Sequence, residues 1–468
     1  MLKKFRSLYI GDRAFYALVF SVAVPIMIQN GITNLVGLLD NIMVGLIGTE
    51  QMTGVAIVNQ IIFIFNLAIF GAVAGAGIFG AQFHGSKNDE GVRYAFRFKI
   101  ITAISVVAVA TTVFLVFGED LIRLFLLGEG DVENIDASLN YGIRYMRLML
   151  IGLPPFALVQ CYSGTLRETG ETVLPMKAGI SAVISNLILN AILIFGLLGL
   201  PALGSDGAAI ATVASRYIEC FIVMAWTHSH SERHPFIKGA LRSLYIPFDL
   251  FKRIALKAAP LIVNETLWAL GMSLLSQSYS TRGYDVVSAH NIAATVNNLF
   301  IVTFLAMGSA IAIIVGQQLG AGDTERAVDS ARKLTFFSVF SCVIIGGLLA
   351  LVAPFFPMIY NVSTEIRSLA TSLIIVMAVT MPIASLAHAY YFTLRSGGRI
   401  LITMLFDSFY VCGITFPIAF VLSRFTSMPI VPLFLCCQLA EIGKCIIGSI
   451  MVRKRIWVRN IVSEKENT

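Results

Sequence analysis

Long stretches of apolar residues dominate the chain, and short polar segments separate them. A helix needs about 20 apolar residues to cross the hydrocarbon core of a bilayer. The runs are too long and too uniformly apolar for barrel strands, in which apolar and polar residues alternate. The pattern therefore predicts an all-α integral membrane protein with twelve transmembrane helices. The predicted spans lie near residues 14–42, 52–82, 94–117, 137–165, 173–198, 206–228, 253–281, 286–318, 328–353, 366–394, 400–423 and 429–452.

Several motifs of the first half return in the second half. The repeated pairs are Thr165–Gly170 with Thr393–Gly398, Pro25 with Pro260, and Gly80–Gln82 with Gly316–Gln318. Repetition at half the chain length is typical of transporters built from two homologous bundles. Because six helices return the chain to the side where it began, we expect two parallel six-helix bundles related by an axis along the membrane normal.

The predicted division of the chain follows from this repeat. The N-lobe comprises residues 1–230 with predicted helices 1 to 6, and the C-lobe comprises residues 251–455 with predicted helices 7 to 12. A polar, basic cytoplasmic linker of residues 231–250 joins the two lobes, and residues 456–468 form a cytoplasmic tail.

The composition agrees with a protein surrounded by lipid. Hydrophobic residues make up 57% of the chain and charged residues 13%, about half the charged fraction of an average soluble domain. The net charge of +7 does not indicate a nucleic-acid partner, because the basic residues lie in short breaks between apolar runs and not on one soluble face. The seven cysteines show neither metal-ligand spacing nor a disulfide framework.

Most Lys and Arg residues fall in the N-terminal segment and in every second loop, with Arg93, Arg97 and Lys99 among them. Since cytoplasmic loops collect Lys and Arg, we expect a multi-pass protein of the plasma membrane with both termini in the cytoplasm. The apolar run after Arg13 is too long for a signal peptide, so we interpret it as a retained first span.

Asp40 and Glu265 lie inside predicted spans, where an ionised side chain is costly. Asp40 has apolar neighbours on predicted helix 1, although counting along the helix places it toward the outer end, where water reaches it. Glu265 follows Pro260 by five residues and lies about a dozen residues beyond Arg253, which places it well inside the bilayer on a helix. An acid at that depth is either protonated or binds a cation.

Asn186 and Asn190 are four residues apart on predicted helix 5, so their amides share one face. Amide oxygens are neutral ligands that suit a hard monovalent cation. Paired asparagines also join helices by hydrogen bonds, and the spacing alone leaves both interpretations open.

Other polar and small residues in the spans are interpreted as structural. Arg216 and Glu219 are three residues apart and can neutralise each other, while Gly75, Gly77 and Gly80 are typical of close helix packing. The sequence contains no recognisable nucleophile–base pair, metal-hydrolase motif or nucleotide-binding motif, so we expect no enzyme activity.

Taken in order, these motifs resemble the multidrug and toxic compound extrusion (MATE) family. The resemblance extends over nearly the whole chain, from about residue 14 to residue 455. The matching motifs are Pro25 followed by Asp40-x-x-x-x-Gly45-x-x-Gly48, Gln82-Phe83-His84-Gly85, Leu166-Arg167-x-x-Gly170, Gly207-Ala208-Ala209-Ile210-Ala211-Thr212, Pro260-x-x-x-x-Glu265, Gly316-Gln317-Gln318-Leu319-Gly320-Ala321 and Leu394-Arg395-x-x-Gly398.

The resemblance implies a MATE-like fold of the MOP superfamily, with two six-helix bundles, alternating access and antiport of drugs against H⁺ or Na⁺. It also implies a cation site in the N-lobe, for which Na⁺ is the expected metal ion. The implied ligands are the Asp40 carboxylate, the amide oxygens of Asn186 and Asn190, the Thr212 hydroxyl and the Ala208 backbone carbonyl. Glu265 matches the acid of a second site in the C-lobe.

The chain departs from the family pattern at two positions. Some members carry an acid where this chain has Asn190, and many carry an acid eleven residues before the second Leu-Arg arginine, where this chain has Ala384. The C-lobe site is therefore expected to depend mainly on Glu265. Asp407 on predicted helix 11 is a candidate substitute, interpreted as a partly exposed acid.

We therefore predict a secondary active multidrug efflux antiporter that exports cationic or amphipathic compounds in exchange for Na⁺ or H⁺. No cofactor is expected, and the expected partners are small-molecule drugs and the lipid bilayer, with a monomeric protein. The main alternative is a flippase for lipid-linked oligosaccharides of the related superfamily, which needs a cationic cavity. Arg144, Arg147 and Arg216 would favour it if they lined such a cavity without acidic partners. A passive channel suits a buried acid in each bundle less well.

Overall fold

Helices form the regular structure throughout the part of the chain that the structure describes. The computed structural model describes residues 8–126, 132–360 and 362–463. The helices are α1 (Arg13–Gly45), α2 (Thr49–Gly85), α3 (Asp89–Leu126), α4 (Val132–Ile151), α5 (Leu153–Glu168), α6 (Val173–Phe195), α7 (Gly204–Ser229), α8 (Phe248–Ser280), α9 (Tyr284–Phe300), α10 (Val302–Gly320), α11 (Thr324–Val352), α12 (Thr364–Ser396), α13 (Ile400–Phe425) and α14 (Ile430–Arg453). Three short 3₁₀ turns lie between them, at Leu197–Gly199, Pro235–Ile237 and Phe356–Ile359.

The predicted helical membrane fold is confirmed. Eleven of the described helices are long and apolar enough to cross a membrane, and a bent pair formed by α4 and α5 brings the number to twelve. The predicted span near 137–165 corresponds to this bent pair, in which the chain bends by 45° between Ile151 and Leu153. Pro154 and Pro155 occupy the first turn of α5, where a proline cannot donate to a preceding helical turn.

The predicted span near 286–318 is also divided, into α9 and α10, at Ile301. The division there is slight. The Ile301 N–H donates to the Asn297 carbonyl at 2.8 Å, and the Leu305 N–H donates to the Ile301 carbonyl at 3.1 Å. Since helical hydrogen bonds continue through the junction, α9 and α10 follow each other closely along the chain.

The chain groups into two compact units. The N-unit contains residues 28–80 and 89–262, and the C-unit contains the described residues of 1–27, 81–88 and 263–468. The N-lobe and C-lobe that the repeat predicts divide the chain at other residues than these two compact units do. The predicted lobe boundaries therefore remain a prediction.

In the N-unit, two basic residues that the charge pattern assigned to a cytoplasmic loop lie on α3 and are buried. Arg97 is 9% exposed and Lys99 is 0% exposed. The Arg97 guanidinium donates to the carbonyls of Gly239, Ala240 and Tyr245 at 2.9 to 3.0 Å, so it binds the backbone of the predicted linker. The predicted span near 94–117 includes both residues, but the charge pattern did not indicate that their side chains are buried.

In the C-unit, the segment after α14 is packed against the helices. Trp457 is 0% exposed and belongs to the same apolar core as residues of α10 and α12. Gln82 holds this segment, because its side-chain oxygen accepts from the Ile461 N–H at 2.9 Å and its amide nitrogen donates to the Arg459 and Ser396 carbonyls at 3.2 and 2.9 Å. Gln82 therefore links the end of α2 with the end of α12 and the C-terminal segment.

The repeated Gly-Gln motifs of α2 and α10 face each other at the same place. A Cβ atom on Gly85 would overlap the Gln317 carbonyl, and a Cβ atom on Gly320 would overlap the Gln82 carbonyl. The two helix ends therefore approach each other in a reciprocal contact that only glycine permits.

The substitution Gly320→Ala should lower stability, since the added methyl group forces the two backbones apart. We expect a loss of about 1–3 kcal/mol, the usual cost of overpacking, measured as a lower unfolding midpoint of the purified protein in detergent. Gly347→Ala on α11 is the matched control, because a Cβ atom there meets nothing within 4 Å. Equal midpoints for both variants would contradict the close contact.

Candidate cation site and the intramembrane acids

Asp40 lies at the centre of a hydrogen-bonded cluster in the N-unit. The Asn190 amide donates to Oδ1 of Asp40 at 2.6 Å and to Oδ1 of Asn186 at 3.1 Å, and the Asn186 amide donates to the Thr212 hydroxyl at 3.3 Å. Asn190 is 1% exposed and Asn186 is 6% exposed. The structure thus brings four of the five residues implied by the resemblance into one connected group contributed by α1, α6 and α7.

The fifth residue, Ala208, is buried on α7 one turn before Thr212. The hairpin of α6 and α7 positions both residues. The Leu203 N–H donates to the Leu193 carbonyl at 2.9 Å, and Gly207 faces the same carbonyl so closely that a side chain would not fit. This close approach holds the Ala208 and Thr212 turn of α7 near the asparagines of α6.

The Asn186 amide has two orientations with different consequences for Asp40. In one, its oxygen faces the Asp40 carboxylate and its nitrogen donates to Thr212. In the other, its nitrogen donates to Oδ1 and Oδ2 of Asp40 at 2.9 and 3.1 Å. The first orientation directs an amide oxygen at the carboxylate, which is repulsive, so the orientation in which the Asn186 nitrogen donates to Asp40 satisfies the hydrogen-bonding groups better.

The chemistry of the cluster fits a monovalent cation. The Asn190 oxygen Oδ1 is buried and accepts no hydrogen bond from any described group, and a buried acceptor without a donor is rare in a folded protein. Together with the Asp40 carboxylate, the Asn186 amide and the Thr212 hydroxyl, it offers one negative charge and several neutral oxygens. Hard cations are bound by such oxygen sets.

Glu265 lies on α8 in the C-unit, half-buried, in surroundings unlike those of Asp40. Its carboxyl group interacts with the side chains of Tyr391 and Asn264, and the guanidinium of Arg395 supplies an attractive positive charge. Asp40, in contrast, makes no ion pair within 4.0 Å with any side chain that the structure describes. Since a resident positive charge competes with an entering cation, the surroundings of Asp40 suit cation binding better.

Asp407 belongs to an ion-pair group that the sequence did not indicate. Its side chain is 15% exposed and lies 2.9 Å from the ammonium of Lys444, which is 5% exposed and also 3.4 Å from Glu441. Asp407 is therefore an ion-paired acid with only a small exposed fraction, and the sequence did not indicate its partner Lys444. Lys444 and Glu441 are on α14 within a predicted span, and an intramembrane lysine is the signal that would have revealed them.

The wide turns of α13 and a bond to α8 fix the position of Asp407. Residues Leu405–Phe409 and Val411–Thr415 form π-helical turns, which often occur at functional sites. Asn264 on α8 donates to Asp407 at 3.4 Å, while Ser408 donates to the Asn264 carbonyl at 2.6 Å. Ala384, where many family members carry an acid, lines a cavity of about 300 Å³ that Glu441 and Lys444 also line.

Two of the three arginines relevant to the flippase alternative have partners. Arg144 forms an ion pair with Asp206. Arg216 donates to the Gly152 carbonyl at 3.2 Å, lies over the Phe156 ring and is attracted by Glu219. Arg147 is exposed.

The same family pattern is present in both halves of the chain. The MatE family model matches residues 25–192 and again residues 260–421, which together exceed half of the chain. The chain belongs to the MatE family. Both matches begin at the repeated proline, Pro25 or Pro260, which confirms the predicted internal repeat.

Relatives of known sequence agree with this membership. The chain is 24% identical over 418 residues to the probable multidrug resistance protein YoeA of Bacillus subtilis, with 87% of each chain covered. It is 24% identical over 406 residues to the probable multidrug resistance protein NorM of Thermotoga maritima, covering 86% of this chain and 85% of that protein. The MatE protein is therefore a multi-pass member of a family of membrane transporters.

Solved structures show the fold. The outward-facing structure of a multidrug resistance MATE family transporter of the MOP superfamily has a TM-score of 0.85 at 19% identity, covering 94% of this chain and 95% of that one. A MOP superfamily transporter from Pyrococcus furiosus, described with a reverse polarity of its binding pocket and a suggested different function, has a TM-score of 0.84 at 18% identity, covering 96% and 97%. This fold therefore accommodates pockets of different polarity, and function must be argued from the residues.

Proposed function

We propose that this MatE protein is a secondary active multidrug efflux antiporter of the plasma membrane. It exports cationic or amphipathic compounds in exchange for Na⁺ or H⁺, and both termini lie in the cytoplasm. The observation that carries the proposal is the Asp40 cluster, in which a carboxylate is surrounded by neutral amides and a hydroxyl within a membrane protein of this family.

The cluster couples ion binding to conformation through charge. Without a bound ion, the amides of Asn190 and Asn186 stabilise the Asp40 carboxylate by donating hydrogen bonds. When Na⁺ binds, the Asn186 amide rotates and presents its oxygen, and Asn190 Oδ1 becomes a further ligand. A proton would instead neutralise Asp40 directly. Either ion removes a net charge from the membrane interior, which biases α1 toward the conformation that accommodates the neutral cluster.

The cavity of about 300 Å³ in the C-unit has the composition of a site for amphipathic cations. Aromatic rings and flexible methionines line it together with Glu441 and Lys444; they are Trp268, Tyr279, Phe304, Phe434, Met272, Met377 and Met381. Aromatic faces attract cations, and methionine side chains adapt to ligands of different shape. Asp407 and Glu441 carry two negative charges and Lys444 carries one positive charge. The group therefore has a net charge of −1 and favours a positive ligand.

The substitution Glu441→Gln should weaken the transport of cationic drugs. We expect the KM for ethidium to rise about fivefold, since a partly exposed ion pair contributes about 1 kcal/mol, while a neutral amphipathic substrate is affected little. Transport rates against substrate concentration in proteoliposomes measure the effect. Glu365→Gln, an exposed acid at the start of α12, is the matched control, and the same rise in that variant would exclude a specific role for Glu441.

The proposal as a whole is tested by ethidium transport in proteoliposomes under an imposed Na⁺ gradient and, separately, under an imposed pH gradient. We expect at least one gradient to drive ethidium against its own concentration gradient. Protein-free liposomes and the Asp40→Asn variant serve as controls. If neither gradient drives ethidium against its own concentration gradient, the proposed antiport is refuted.

The flippase alternative has less support in the chain. A cavity for a pyrophosphate group needs positive charge that is free to bind it, whereas Arg144 is paired with Asp206 and Arg216 is held by Gly152 and Phe156.

A further inference from the structure

A second, larger cavity of the C-unit lies at the ends of α11, α12 and α14. It has a volume of about 480 Å³, and the C-terminal segment closes one side of it with Trp457. Its wall contains three arginines, four hydroxyl groups and no acidic residue among the described residues. The arginines are Arg332, Arg453 and Arg455. We call this cavity the basic pocket.

The arginines of the basic pocket differ in how their charges are balanced. Arg455 forms a two-point ion pair with Glu325, with N–O distances of 2.5 and 3.2 Å. Arg332 and Arg453 form no ion pair within 4.0 Å with any described side chain. Two guanidinium charges therefore face the pocket without a resident counter-charge from the described residues.

Hydroxyl groups lie beside these two charges. Tyr9, Thr335, Tyr390 and Ser449 line the same wall. The Thr335 hydroxyl donates to the Ala331 carbonyl at 2.7 Å and Tyr390 hydrogen-bonds with Ser449, so these hydroxyls make the wall polar while the arginines supply its positive charge. One guanidinium group can donate two parallel hydrogen bonds to two oxygens of a phosphate. Arg332 and Arg453, together with the polar wall, therefore suit a phosphate group better than they suit a carboxylate.

The inner wall of the basic pocket is apolar and continues along α11. Phe336 and Val339 line the pocket. Phe340, one turn beyond Phe336, and Val343 are 52% and 53% exposed on a membrane-spanning helix, so they face lipid chains. A ligand with a charged head and apolar tails thus fits both parts, with its head at the arginines and its tails along α11.

We propose that the basic pocket binds the phosphate headgroup of an anionic phospholipid, with the acyl chains lying along Val339, Phe340 and Val343. This site is separate from the Asp40 cluster and does not depend on the proposed antiport. The lipid would connect α11, α12, α14 and the C-terminal segment, and its negative phosphodiester would balance Arg332 and Arg453.

Native mass spectrometry of the delipidated full-length protein tests the site by titration with phosphatidylglycerol and with phosphatidylcholine of identical chains. The wild type should bind phosphatidylglycerol at least about tenfold more tightly, because the guanidinium contacts add charge-assisted hydrogen bonds. The Arg332→Gln/Arg453→Gln variant should lose this preference, and Arg332→Lys/Arg453→Lys should recover part of it. The Lys454→Gln/Arg424→Gln variant is the control with equal charge loss, since neither residue lines the pocket.

Four results would overturn the proposal. One is equal affinity of the wild type for both lipids, and another is an equal loss of preference in the control variant. The third is protection of the protein against thermal unfolding by inorganic phosphate or glycerol phosphate to the same extent as by phosphatidylglycerol, because the ligand would then be a soluble phosphate. If the Gln variant fails to fold, the wild type is compared with the folded Lys variant. The Lys variant should prefer phosphatidylglycerol less strongly than the wild type does. A fourth contradicting result is an unchanged preference in the Lys variant, because the guanidinium pair would then have no specific role.

Discussion

Substitution of Asp40→Asn should strongly slow ion-driven drug efflux while leaving the protein folded. The change keeps the size of the side chain and one of its two acceptor oxygens, so Asn190 retains an acceptor. The other oxygen becomes an amide donor, which can donate to the Asn186 oxygen, and the one negative charge of the cluster is lost. We expect the rate of gradient-driven ethidium transport to fall about 10- to 100-fold, because a charged ligand contributes about 1.5–3 kcal/mol. Proteoliposome assays with equal amounts of reconstituted protein measure the rate.

Asp136→Asn is the matched control for this experiment. Asp136 is an exposed aspartate of α4 in the same unit, and its loss should leave transport within twofold of the wild type, about the effect of a surface charge. Normal ion dependence in the Asp40→Asn protein would show that coupling occurs elsewhere. Glu265 would then be the next candidate.

Substitution of Lys99→Met should cause the largest loss of stability among single changes to charged residues of the N-unit. The Lys99 ammonium is fully buried and donates to both Glu168 oxygens at 2.7 and 2.6 Å and to Thr165 at 2.9 Å. Removing it leaves a buried carboxylate without its counter-charge, which costs about 3–5 kcal/mol. The midpoint of unfolding in a mixed-detergent titration measures this loss.

A second substitution separates the charge effect from packing. Lys99→Met combined with Glu168→Gln removes both charges and should recover much of the lost stability, since a buried ion pair contributes little net stability by itself. The exposed pair of Lys238 and Glu232 provides the control, because Lys238→Met should cost no more than about 1 kcal/mol. A double variant as unstable as Lys99→Met would contradict the electrostatic explanation.

The sequence predicted the helices well because lipid imposes a simple length rule on apolar runs. Local chemistry explains the misses. The bend at Gly152 was visible as Pro154 and Pro155, yet an apolar run does not show whether a proline pair divides one span or only kinks it. Lys99 was misplaced because a lysine near a span end is usually at the surface, and its partner Glu168 is 69 residues away.

The candidate cation site shows the same division between local and long-range information. The i, i+4 spacing of Asn186 and Asn190 predicted that they share a face, and the structure shows this. Their contact with Asp40, 150 residues earlier, came only from the family resemblance. The i, i+3 spacing of Glu441 and Lys444 is visible in the sequence, and an intramembrane lysine points to the group. The contact of Lys444 with Asp407, 37 residues earlier on another helix, could not be predicted from a local pattern.

The sequence predicts close helix packing at Gly75, Gly77 and Gly80, and at Gly75 a Cβ atom would indeed overlap Ala258 of α8. Gly85 and Gly320 allow the ends of α2 and α10 to touch. Gly77 and Gly80 instead leave room for the Glu168 carboxylate, which a Cβ atom at either position would overlap. A sequence shows that a side chain is missing but not which group occupies the space.

The central claim is that drug and cation movements are coupled through Asp40, and reciprocity gives its most direct test. An ethidium gradient imposed across proteoliposomes, with no ion gradient present, should drive Na⁺ or H⁺ in the opposite direction, measured with radioactive sodium and with a pH-sensitive dye. The wild type should show this counter-movement and Asp40→Asn should not. Ethidium flux through the wild type without movement of either ion, or equal ion movement in the Asp40→Asn protein, would contradict the account.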